Sequence, residues 1–157
     1  LLDVNVLIAL LDSAHTQHAV AHSWLRRNIG GGWASCPITQ NGVVRIMSQP
    51  GYPQAISPRR AGELLRQATA TAHHAFWHDA ISLLDDSRID LSRVHGPRQI
   101  TDAYLLALAV HHGGCFVTFD TAIAASAVRK AGAKNLVVLQ GSHPKGRHPG
   151  ACRDPVH

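Results

Sequence analysis

The stretch GPRQITDAYLLALAVHHGGCFVTFD, residues 96–120, carries three signals in turn. Leu105, Leu106 and Ala109 follow Asp102 at i+3, i+4 and i+7, the spacing of one helical face. Gly113 and Gly114 suit a helix end. Phe116, Val117 and Phe119 then read as a buried strand, and that strand stops on Asp120. A helix handing over to a buried strand is half of a βαβ unit. The acid at its end is what needs explaining.

Working outward, the same device recurs at residues 1–3, where LLD runs straight into the apolar VNVLIALL. Further strands are expected at WASC (33–36) and NLVVL (135–139). Helices are expected over 6–11, over 15–28 with Ala19, Val20, Trp24 and Leu25 facing inward, over 39–48 with Thr39 as N-cap, over 57–74 with Ser57 as N-cap and Pro58 at the first position, over 96–114, and over 121–132. Residues 76–95 carry no clear period. The alternation predicts an α/β fold: a single domain over 1–140, with a mostly parallel central sheet flanked by helices on both faces. Residues 141–157, GSHPKGRHPGACRDPVH, are rich in Gly, Pro, His and Arg and are expected to form a flexible basic tail.

With 157 residues, 45% hydrophobic and 16% charged, the chain supports a core and does not have a disordered composition. Fifteen Lys and Arg against ten acids give +5 and leave a polyanionic partner open. Three cysteines without a CxxC disfavour a zinc site and a disulfide framework, and Cys115 reads as a small buried hydrophobe. The apolar run AYLLALAV falls well short of a membrane span of roughly 20 residues. No signal peptide is recognisable, so the expected location is the cytoplasm. Because Leu1 opens inside an expected strand, a few residues are expected to precede it.

With only ten acids, placement matters. Asp12, Glu63, Asp79, Asp85, Asp86, Asp90 and Asp154 lie in polar or turn-like surroundings and read as solvated charges. Asp3 and Asp120 instead sit at C-terminal strand ends, the edge where ligands bind in open parallel sheets. Asp102 belongs to the sheet-facing stripe of its helix. Asp3 or Asp120 could simply cap the helix that follows. Three acids meeting at one edge would repel one another unless a cation is present. Oxygen ligands suit Mg²⁺ or Mn²⁺, which hold phosphate oxygens and activate water. The histidines, including His15, His18 and His22 on one helix face, show no metal-ligand pattern and read as surface residues.

Taken together, LLDVNVLIALL, CPITQNGVVRIM, ITDAYLLALAVHHGG and FVTFD resemble, in this order, the motifs of PIN-domain ribonucleases, above all the toxin half of VapBC-type toxin–antitoxin pairs. The likeness runs from Leu1 to about Gln140. It implies a PIN-like domain and a Mg²⁺- or Mn²⁺-dependent endoribonuclease, dimeric and neutralised by a cognate antitoxin protein, with RNA as substrate. It places Asp3, Asp102 and Asp120 on the metal-binding acids, Asn5 on the polar position two after the first acid, and Thr118 on the hydroxyl position two before the last. Where the family carries a glutamate among its catalytic residues, this chain carries Gln40, which offers a neutral oxygen and no general base. Two other readings stand beside it. One is an inactive PIN-like module that binds RNA or antitoxin. The other is an aspartate-based phosphohydrolase, disfavoured by Asn5 in place of a second acid.

Overall fold

The computed structural model describes residues 1–141; of the tail expected over 141–157, all but Gly141 lies outside the described residues. Two parallel strand pairs form the sheet. β1 (Trp33–Ser35) pairs with β2 (His74–Phe76), and β3 (Phe116–Thr118) pairs with β4 (Leu136–Val138). Residues 1–3 join the pairs. Leu2 donates to the Ala34 carbonyl at 3.0 Å and forms a parallel bridge with Val117, and Asp3 donates to the Val117 carbonyl at 2.9 Å. The order is therefore β2, β1, residues 1–3, β3, β4.

Successive residues in these strands face opposite sides, and the packing follows that period. Leu1, Ala34 and Phe116 join one apolar cluster with α5 (Arg98–His111), whose Leu105, Leu106 and Ala109 are fully buried as their spacing predicts. Leu2, Val117 and Val137 join the other, against α1 (Val4–Leu11), α3 (Pro37–Met47) and α4 (Pro58–Thr69). Helices thus cover both faces, as expected. Each fully buried large apolar side chain, such as Phe116 or Leu7, contributes about 1.5–3 kcal/mol.

Local chemistry sets the helix ends. Ser57 caps α4 by accepting from Arg60 N–H, with Pro58 at the first position. After α5, Gly113 takes φ +70°. Gly114 N–H bonds the Ala109 carbonyl at 2.9 Å and Gly113 N–H bonds Val110 at 3.1 Å, a Schellman close. Gly42 lets α3 approach α1: a Cβ there would lie 2.6 Å from a Val4 methyl.

Several expectations are corrected. Thr39 is not the N-cap of α3. Cys36 is, and Thr39 reaches back from the third position to bond the Cys36 N–H at 2.9 Å. The helix from 57 stops at Thr69, and His74–Phe76 is a strand, because its two residues after His74 continue the ladder along β1. Residues 121–132 do not form an α-helix; only a 3₁₀ turn at Ala125–Ala127 appears there. On α2 (His18–Asn28) the buried residue is Ala21, whereas Ala19 is exposed. Cys115 is buried as expected, and Cys36 is a buried free thiol.

Candidate active site

Asp3 ends the central segment of the sheet and caps α1. It is 6% exposed, and both carboxylate oxygens are engaged. One accepts the Val4 N–H at 2.7 Å and the other accepts the Thr118 hydroxyl at 2.7 Å. Thr118, the buried last residue of β3, accepts the Asp120 N–H at 3.0 Å through the same oxygen. One hydroxyl therefore ties the first acid to the backbone of the last. Asp120 is exposed and turns one oxygen onto the Ala122 N–H at 2.7 Å. The capping alternative holds for Asp3, whose side chain accepts from the first residue of α1.

Asp102 lies half-buried in the second turn of α5. Burial pushes its carboxyl up to about 6, helped by the negative charges of Asp3 and Asp120. Burial likewise raises Asp3; its bonds from Thr118 and Val4 oppose that rise, and Asp120 adds to it. The three acids are thus electrostatically coupled. None of them takes part in an ion pair among the described residues, where Asp85, Asp90 and Glu63 hold the ion-paired arginines. The cluster is also open: among the described residues no three His, Cys, Asp or Glu side chains stand close enough to form a ready-made cation cage.

Gln40 occupies the first turn of α3, which leaves β1 at the same place as Ser35. Its amide nitrogen donates to the Ser35 hydroxyl oxygen at 2.9 Å, and that oxygen lies 2.8 Å from His74 Nε2. The Gly42–Val4 contact brings this part of α3 against the start of α1, next to Asp3. Asn5 is exposed on the first turn of α1 and has no side-chain bond to the acids among the described residues. Ser35 and His74 were not anticipated as part of the site. His74 was read as the end of a helix, and only the strand pairing of residues 74–76 with β1 would have placed it beside Ser35.

The three coupled groups are carboxylates, which are hard oxygen donors. That set fits a hard divalent cation of the Mg²⁺ or Mn²⁺ kind, and uncompensated negative charge is what such an ion relieves.

A family model described as PIN domain matches residues 1–128. The chain is 56% identical to Ribonuclease VapC44 of Mycobacterium tuberculosis over 139 residues, 88% of this chain and 98% of that protein. It is 44% identical to Ribonuclease VapC39 of the same organism over 128 residues, 81% of this chain and 92% of that protein. Identity to Ribonuclease VapC38 is 42% over 124 residues, 78% and 86% of the two chains.

Proposed function

We propose a function from one premise: the chain belongs to the PIN-domain family. It is an endoribonuclease toxin of a bacterial toxin–antitoxin pair, acting with Mg²⁺ or Mn²⁺ held by Asp3, Asp102 and Asp120. The observation that carries this reading is the coupling of three acids that have no basic partner among the described residues, with Asp102 raised to about 6. When bound, the cation supplies charge to the scissile phosphate and lowers the pKa of a water. The chain's own residues do the positioning. Thr118 orients Asp3 by donating to it, which opposes the rise that burial imposes on the Asp3 pKa, and keeps the Asp120 backbone in register. Val4 N–H fixes the other oxygen of Asp3. Asn5 and Thr118 serve as the supporting polar residues. Gln40 brings no charge, so the site is attenuated relative to one with glutamate there.

A catalytically silent module that binds RNA or antitoxin is the second reading, favoured by the Gln40 amide being committed to Ser35. The phosphohydrolase reading is weakened by Asp3, whose oxygens are buried and both hydrogen-bonded, a poor state for a nucleophile. RNA cleavage over a Mn²⁺ titration decides among them. Cleavage that Asp102→Asn abolishes supports the nuclease. Binding without cleavage in both this chain and Gln40→Glu supports the silent module. A trapped phospho-aspartate supports the hydrolase.

The antitoxin is proposed to cover an apolar groove of about 260 Å³ between α1, α2 and α4, lined by Leu7, Leu10, Leu11, Leu25 and Leu65. α3 spends its buried face on Val43 and Met47 in the core. A homodimer is proposed as the working state, with exposed Leu84 and Ile100 as contact residues to be tested. No helix among the described residues is long and apolar enough to cross a membrane; a cytoplasmic location is part of the same proposal.

A further inference from the structure

Asp102 and Asp120 sit on different segments of the chain, and one side chain joins those segments. Gln99 occupies the first turn of α5, three residues before Asp102 and so on the same side of the helix. Its amide nitrogen donates to the Ala122 carbonyl at 3.1 Å, and its amide oxygen accepts the His95 N–H at 3.0 Å. This amide cannot turn over, because a backbone N–H only donates and a backbone carbonyl only accepts. Ala122 in turn donates its own N–H to Asp120 Oδ1 at 2.7 Å. Two hydrogen bonds through Ala122 therefore connect α5 to the last acid. On the strand side, Thr118 accepts the Asp120 N–H at 3.0 Å and fixes the acid where it leaves β3. Asp120, Thr121 and Ala122 are all exposed, so little packing holds this loop. Exposed backbone with few buried contacts opens most readily. Asp120 Oδ2 takes no hydrogen bond among the described residues, and its direction is set by the turn that carries it.

We propose that Gln99 is a positioning residue for Asp120: it ties the loop after β3 to the first turn of α5 and so sets the spacing of Asp120 from Asp102. The proposal rests on the reading that Asp3, Asp102 and Asp120 hold a divalent cation. Oxygens that share Mg²⁺ must stand about 2.0–2.1 Å from it, so a loop that drifts by an ångström forfeits a ligand. The rival role is structural: the bond from His95 merely ties down the entry to α5. The two bonds use opposite ends of the amide, so substitution can separate them.

Gln99→Glu keeps the oxygen that accepts from His95 and loses the donor to Ala122, whereas Gln99→Ala loses both. Two measurements on the full chain test the proposal, and one needs no metal. In amide exchange followed by nitrogen-15 NMR, the Ala122 N–H should exchange about fivefold faster in both variants, the size of one neutral hydrogen bond. The His95 N–H should speed up in Gln99→Ala alone. Unchanged Ala122 exchange, or a change there in Gln99→Ala only, overturns the proposal. The second measurement is Mn²⁺ affinity by calorimetry for the parent, Gln99→Ala, Asp120→Ala and the double variant. Gln99→Ala should weaken binding about fivefold alone and add nothing in the Asp120→Ala background. An equal loss in both backgrounds, or no loss in either, overturns the proposal, since a general effect on the fold would not vanish with Asp120. Asp102→Asn is the separate control: unchanged Mn²⁺ binding there refutes the cation reading itself, and the exchange rates still decide whether Gln99 holds the loop.

Discussion

Replacing Asp102 by asparagine removes a charge that the fold holds at a cost. Its carboxyl is raised from an ordinary 3.8 to about 6. A rise of that size corresponds to about 3 kcal/mol if nothing screens it. Asp102 is only half-buried, so solvent reduces the effect, and about 1 kcal/mol is the working figure. The sign follows from the folded pKa lying above the unfolded one: the folded state binds the proton more tightly. Stability from this group is complete below about pH 4 and is lost as pH rises through about 6. Asp102→Asn keeps that stability at all pH values. In urea unfolding with chelator present, the variant should therefore exceed the parent by about 1 kcal/mol at pH 7.5 and match it at pH 4. The gap corresponds to roughly 2–4 °C in melting temperature. Saturating Mn²⁺ should close it by stabilising the parent alone. A difference of the same size at both pH values, or none at pH 7.5, would refute the repulsion argument and with it the reason for placing a cation here.

Gln40→Glu should tighten Mn²⁺ binding by roughly two decades, since one added charge near a divalent ion is worth a few kcal/mol at an effective dielectric near 20. RNA cleavage should rise with it, and equal cleavage by both proteins would show position 40 to be dispensable. Thr118→Val strips the buried Asp3 oxygen of its donor and should cost about 1–3 kcal/mol in chemical denaturation, with weakened Mn²⁺ binding. Gly42→Ala adds a methyl 2.6 Å from a stiff Val4 side chain. Overpacking of this kind costs about 1–3 kcal/mol, against a helix-propensity gain of about 1; a stabilised variant would mean that α1 and α3 separate freely.

How much of this was legible in the chain depends on whether a signal was local. The spacing of Leu105, Leu106 and Ala109 after Asp102, and the run of Phe116 and Val117 up to Asp120, predicted both elements and the face that the helix buries. Ser57 and Pro58 marked a helix start for the same reason. β2 was illegible because it has only three residues, two of them exposed at its end, and its reason for being extended is the distant β1. The alanine-rich 121–132 looked helical by propensity, yet Asp120 turns onto the Ala122 N–H and the chain breaks into a 3₁₀ turn. At the site, the acids were readable because a carboxylate at the end of an apolar strand is locally anomalous. Ser35 and His74 were not, because neither is unusual where it stands and their meaning comes from a contact 39 residues apart in the chain.

Residues 1–3 sit in the middle of the sheet, between Ala34 of β1 on one side and Val117 of β3 on the other. Synthesis therefore makes the central segment first and its neighbour more than a hundred positions later, with the Thr118–Asp3 bond closing over a separation of 115. Contacts this distant close slowly and only once both ends exist. A ribosome-bound chain halted before Thr118 carries Asp3 but neither the hydroxyl that orients it nor Asp120. If the proposed nuclease is right, the cell making it has a built-in delay: a truncated product is harmless, and catalytic competence arrives only with the last quarter of the domain. Pulse-labelled nascent chains of graded length, assayed for RNA cleavage on the ribosome, should stay silent until residues past Asp120 have left the exit tunnel.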